Sequence, residues 1–148
     1  MKILLAIDDS RFSQAATQAV LQRARPQETE VRVLHVLEPI IFPPEAQTWT
    51  SLPVYSEMME QQRREATRLV KEAAETLRAA GFKETSHAVE EGIPKVVIVE
   101  EAKKWGADLI VLGSHGRKGL DRFLLGSVSE AVARHAACSV EIVRVPAK

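Results

Sequence analysis

The residues whose types and spacing can do chemistry lie in one stretch, Gly113-Ser114-His115-Gly116-Arg117-Lys118-Gly119-Leu120-Asp121-Arg122-Phe123-Leu124-Leu125-Gly126-Ser127. Gly113 and Gly116 let backbone amides approach a phosphate with no Cβ in the way. Successive amides in such a turn can form an anion-binding concavity. Gly126-Ser127 then opens a helix, and a helix start offers unpaired amides and about half a positive charge. Ser127 followed by Glu130 is a capping-box pattern, so the Ser127 hydroxyl serves either its own helix or a phosphate oxygen. Together the two segments can grip a polyphosphate from two sides. The stretch is not a P-loop, because Gly119 is followed by Leu120 and the Gly-Lys-[Ser/Thr] step is missing. It is not the Gly-x-Gly-x-x-Gly dinucleotide pattern either. On spacing alone, two turns and a helix cap account for it equally well.

The elements that position this stretch alternate strand and helix. Lys2–Asp8 is a short continuous apolar run, as expected for a central parallel strand covered on both faces. Ser10 can cap the next helix, whose apolar positions Phe12, Ala15, Ala16, Ala19 and Val20 recur at helical spacing until Pro26. Glu30–Leu37 is a second strand. The segment from Pro39 to Pro53 is proline-rich and aperiodic, a surface excursion with Trp49 and Tyr55 in or beside it to tack it onto the body. Val54 to Ala80 predicts a long amphipathic helix. Its buried stripe is Ala66, Leu69, Val70, Ala73, Ala74, Leu77 and Ala80, with Gly81 at C′ and a charged, solvated outer face. Lys83–Glu90 reads as a weak edge strand. Val96-Val97-Ile98-Val99 has strand propensity, yet Pro94 at a first helical position and Gly106 at the end predict a helix over Ile93–Trp105. Asp108–Leu112 is a strand, Ser127–His135 a helix and Val140–Val145 a last strand. Five strands with intervening helices predict one α/β domain over residues 1–148, an open, doubly wound parallel sheet with four main helices; the strand order expected is 3-2-1-4-5.

Composition narrows the function classes. Lys plus Arg and Asp plus Glu are 20 each, so no net charge favours nucleic acid or an anionic membrane. The first apolar run, Ile3 to Ile7, is too short to span a bilayer or form a signal-peptide core. Cys138 is the single cysteine, which forbids an intrachain disulfide and fits a reducing, cytoplasmic setting. It is expected to be buried and inert. His35 is expected to pack at the end of a core strand. His87 and His135 have no ligand partners at metal spacing, so no metal site is expected from protein side chains.

The run Gly113-x-x-Gly116, nine residues, then Gly126-Ser127 resembles the ATP-binding signature of the universal stress protein family. Gly106-Ala107-Asp108-Leu109-Ile110-Val111-Leu112 before it, Ile3–Asp8 with Ser10, and His35-Val36 resemble that family too, over essentially the whole chain. Members that do not bind ATP generally lack this glycine–serine spacing. The resemblance implies an ATP-binding stress-response or signalling module that uses nucleotide occupancy as a switch. Asp8 would bond the ribose. Ala6 and Val36 would line the adenine site, the Val36 backbone reading the base. Gly113 to Gly119 would wrap the phosphates, and Gly126, Ser127 and Val128 would complete the grip. The implied nucleotide-binding set is Ala6, Ile7, Asp8, Val36, Leu112, Gly113, Ser114, His115, Gly116, Arg117, Lys118, Gly119, Gly126, Ser127, Val128 and Ser129, with no catalytic residue. A Mg²⁺ or Mn²⁺ ion can bridge the phosphates, since hard cations favour oxygen ligands. The family also implies a homodimer through the last strand and a protein partner that the sequence does not name. Members often carry Cys-Pro-Val before that strand. Here Cys138-Ser139-Val140-Glu141 stands instead, and Glu141 faces either solvent or a like charge across the dimer axis.

Two other classes compete. Paired acids such as Asp8-Asp9 occur in phospho-acceptor receiver domains. Those need an acceptor Asp after the third strand, where this chain has Ala88-Val89-Glu90-Glu91-Gly92. A slow nucleotide hydrolase or phosphotransferase would have to draw on Asp8, Asp9 and His115, and no spacing assigns them a task.

Overall fold

Side chains alternate across the first strand, and that alternation organises the molecule in its computed structural model, which describes residues 1–46, 52–117 and 124–145. In strand β1 (Lys2–Ala6) and just beyond it, Ile3, Leu5 and Ile7 point to one core while Leu4 and Ala6 point to another. Strands β2 (Glu30–Leu37), β3 (Thr85–Glu91), β4 (Leu109–Gly113) and β5 (Ser139–Val143) complete one sheet. All four pairings are parallel, as the alternation of elements predicts, and the order is the expected β3-β2-β1-β4-β5.

Helices α1 (Arg11–Arg23) and α2 (Leu52–Ala79) cover the first core, through Ala16, Ala19 and Val20 and through Val70, Ala74 and Leu77. Helices α3 (Pro94–Trp105) and α4 (Ser127–His135) cover the second, through Ile98, Ala102 and Val132. Burial on both faces is why β1 after Lys2 and β4 read as unbroken apolar runs. Two short 3₁₀ turns, Pro26–Glu28 and Pro44–Ala46, lie in the connections.

Several boundaries move for local reasons. Leu52 and Pro53 belong to α2 and not to the excursion, because proline is tolerated in a first helical turn. Ala80, expected in the buried stripe, is exposed. The helix closes there in a Schellman turn: Gly81 (φ 100°) donates to Arg78 O and Phe82 donates to Leu77 O. Fully buried Phe82 takes the core position instead. Gly106 ends α3 in the left-handed conformation (φ 73°), as predicted. Tyr55 rests edge-on against Phe42 at 5.6 Å, tying the start of α2 to the excursion, whereas Trp49 lies outside the described residues. Glu141 does not face solvent alone: it pairs with Arg23 of α1.

Candidate functional site

The direction of chain progress across the sheet reverses between β1 and β4, and in open α/β sheets the strand C-termini diverge there to leave a crevice. A cavity of about 700 Å³ opens at that point. Its lining draws on the ends of β1, β2 and β4, on the start of α4, and on the flanks of α2 and α3.

Asp8 follows β1 and is held by the start of α1. Its Oδ1 accepts from the Ser10 amide (2.9 Å) and the Ser13 hydroxyl (2.8 Å), and its own amide donates to Ser13 Oγ (2.8 Å). Ser10 caps the helix as expected, accepting from the Ser13 amide. This network fixes the carboxyl and leaves Oδ2 beside Gly116, where an added Cβ would stand 3.0 Å from it. One oxygen is therefore structural and the other turns toward the glycine loop.

The glycines serve packing as well as access. A Cβ on Gly113 would meet Phe12 at 2.6 Å and its carbonyl carbon at 2.8 Å, so Gly113 is required by the close approach of α1 to β4, not by a ligand. A Cβ on Gly126 would stand 3.1 Å from Ser114 O and 3.2 Å from His115 Cα. The chain crosses itself there, and the Gly126 amide donates to Ser114 O (2.8 Å). Ser114 is 2% exposed and stands behind the lining; its amide donates to Val143 O. The amides of Gly126 and Ser114 are thus used inside the protein. Those of His115, Gly116, Arg117, Ser127, Val128 and Ser129 donate to nothing among the described residues, and all six residues line the cavity.

Ser127 does not cap α4. Gly126 occupies the N-cap with extended backbone (φ −63°, ψ 154°), which makes Ser127 the first helical residue, and Glu130 pairs with Arg134 at 2.9 Å instead of reaching back. The tie comes from Ser129, whose hydroxyl reaches Ser114 O (2.9 Å) and Gly126 O (3.0 Å). The exposed Ser127 hydroxyl has no partner among the described residues and lines the cavity. His115 packs on Phe12 with ring centroids 5.1 Å apart, and its Nδ1 meets Ser114 Oγ at 3.0 Å. Its Nε2 is buried without a partner among the described residues. Arg117 pairs with Asp9. Lys118 and Gly119 lie outside the described residues.

Ala6, Ile7, Val36 and Leu112 form the apolar floor, together with Leu34 and Ile98. Three features here go beyond the sequence-based expectation. His35 lines the cavity, with Nδ1 2.7 Å from Ile7 O, which locks the ends of β1 and β2 together. Gln62, Glu65 and Arg68 of α2 supply a polar wall. Spacing three apart on the charged outer face was the available signal for that wall, and it does not separate a cavity rim from ordinary surface. Cys138 is half-buried, not buried, and desolvation pushes its thiol pKa up.

A doubly wound parallel sheet with a crevice at its reversal point, lined by residues whose amides have no partner among the described residues, defines an α/β domain of the open, nucleotide-binding-like architecture. The chain belongs to the universal stress protein family, whose profile matches residues 1–144. It is 36% identical to a universal stress protein of Methanocaldococcus jannaschii, over 99% of this chain and 84% of that one. The solved structure of UspA from Lactobacillus plantarum superposes with a TM-score of 0.84 at 27% identity, covering 97% of each chain. A universal stress protein solved in complex with cAMP superposes with a TM-score of 0.65 at 26% identity, over 97% of this chain and 96% of the other. No described helix is long and apolar enough to cross a membrane.

Proposed function

We propose that this protein is a cytoplasmic, single-domain stress-response module that binds ATP in the cavity between β1 and β4 and signals its occupancy to a protein partner, with little or no turnover. The observation that carries this is a set of six amides without partners among the described residues, on cavity-lining residues 115–117 and 127–129, beside Asp8 Oδ2, which has no partner there either. Amides from two segments can hold phosphate oxygens without a lysine. Asp8 Oδ2 can accept from a ribose hydroxyl, and the floor of Ala6, Val36 and Leu112 suits an apolar ring face. The relative that holds cAMP supports an adenine ribonucleotide with at least one phosphate. Among the described lining residues, Asp8, Asp9, Glu38 and Glu65 oppose two guanidiniums, Arg68 and Arg117. A polyphosphate would gain there from a Mg²⁺ or Mn²⁺ ion held by its own oxygens.

Binding is favoured over hydrolysis because each candidate base has another role in this reading: Asp8 is anchored through Oδ1 by Ser10 and Ser13 and offers Oδ2 to the ribose, Asp9 is paired with Arg117, and His115 packs on Phe12 with Nε2 buried. A homodimer through β5 fits the same reading. That strand is a sheet edge, Val140 and Ile142 are half-buried, and Arg23 neutralises Glu141.

Calorimetric titration with ATP, cAMP and GTP tests the proposal. Saturable heat with the two adenine nucleotides is expected, and no heat with any of them refutes it. Phosphate release measured in parallel separates the slow-hydrolase alternative: rapid turnover lost in Asp8→Ala would establish an enzyme.

A further inference from the structure

Arg117 carries the guanidinium at the glycine-loop end of the cavity, and its Nε–H donates to Asp9 Oδ1. Both side chains are 61% exposed, and both residues line the cavity. Asp9 has no other task among the described residues. Asp8, Ser10 and Ser13 complete the start of α1 without it. Among the described residues its carboxylate is committed to Arg117 alone. Arg117 in turn follows His115 and Gly116, and all three amides are unpaired. The guanidinium therefore stands next to the backbone donors that would hold an anion, already neutralised by an acid of the same chain.

We propose that Asp9 is a specificity-determining residue, a stand-in anion on Arg117 that a nucleotide phosphate must displace. This rests on the nucleotide reading of the cavity. Carboxylate and phosphate present similar oxygen forks to a guanidinium, so one can replace the other on Arg117. An exposed ion pair is weakly held, which makes the exchange easy. Once released, the Asp9 carboxylate remains close to the phosphates and repels them, more strongly as ligand charge grows. Asp9 thus lowers affinity for ATP more than for AMP in the absence of a divalent cation.

A double-mutant cycle tests this, with Asp9→Asn, Arg117→Gln and the double variant titrated with AMP and ATP at fixed ionic strength without metal. Both positions are exposed, and thermal melting confirms folding of each variant. Asp9→Asn is expected to tighten ATP about two- to fivefold and AMP less. In the Arg117→Gln background the same change should give a smaller gain, the difference being the exchange on Arg117. Weaker binding by Asp9→Asn, no change, or an equal gain in both backgrounds overturns the proposal. If wild-type protein binds neither nucleotide, the nucleotide reading falls and the inference with it; wild-type binding with an inert Asp9→Asn removes the inference alone.

Discussion

Gly113 shows how one residue type can be conspicuous in a sequence for a reason its spacing does not reveal. A Cβ there would collide with Phe12 backbone and side-chain atoms, none of them the free end of a flexible chain. Gly113→Ala should therefore lose about 1–3 kcal/mol of stability, read by urea denaturation, before any effect on ligand is considered. Asp8 divides the other way, with one oxygen bound to the α1 start and one beside Gly116. Asp8→Asn keeps a carbonyl oxygen able to serve Ser10. It should stay folded and weaken adenine nucleotide binding about tenfold or more in calorimetry, the loss of one charge-assisted hydrogen bond. At this scale the glycine–serine spacing marked a stretch that lines the cavity. It could not tell that the Gly126 amide is consumed by Ser114 or that Ser114 stands behind the lining, because such crossings join residues distant in sequence.

Element starts and stops were legible wherever a single residue governs them. Ser10 caps α1, Pro94 opens α3 against the β-branched run that follows, and Gly106 closes it. The start of α4 at Ser127 was legible too, but its cap was not, because the capping-box pattern at Ser127 and Glu130 is one residue out of phase with the helix that forms. Ser129→Ala should cost about 1–2 kcal/mol, since its hydroxyl serves carbonyls of Ser114 and Gly126. Ser127→Ala should change stability by less than about 0.5 kcal/mol. Equal losses at the two positions, measured by denaturant midpoints, would restore the capping role to Ser127. The wall from Gln62, Glu65 and Arg68 was hidden for a different reason: polar residues on a helix look the same whether they face bulk water or a water-filled cavity.

For the whole molecule, the parallel sheet and its two helical layers followed from the alternation of strands and helices and from right-handed crossovers. The strand order, which those rules do not choose, is the expected one. What a sequence of this kind leaves open is how far the layers stand apart at the strand ends, since the cavity's size depends on the packing of α2 and α3 against the sheet. If occupancy is a switch, nucleotide must bind two states of the protein unequally. Amide hydrogen exchange should then slow at residues 115–117 and in the Pro39–Ala46 segment when ATP is added, with the β1 core unchanged. Equal protection with and without ATP would leave a binding module without a switch.

The most direct test of the central claim is a ¹⁵N–¹H correlation spectrum recorded during titration with ATP. Main-chain donors at residues 115–117 and 127–129 should shift together and saturate at one dissociation constant, while the Gly126 and Ser114 amides, already bonded inside the protein, move least. Saturable binding that leaves those six amide signals in place would contradict the account and put the nucleotide elsewhere.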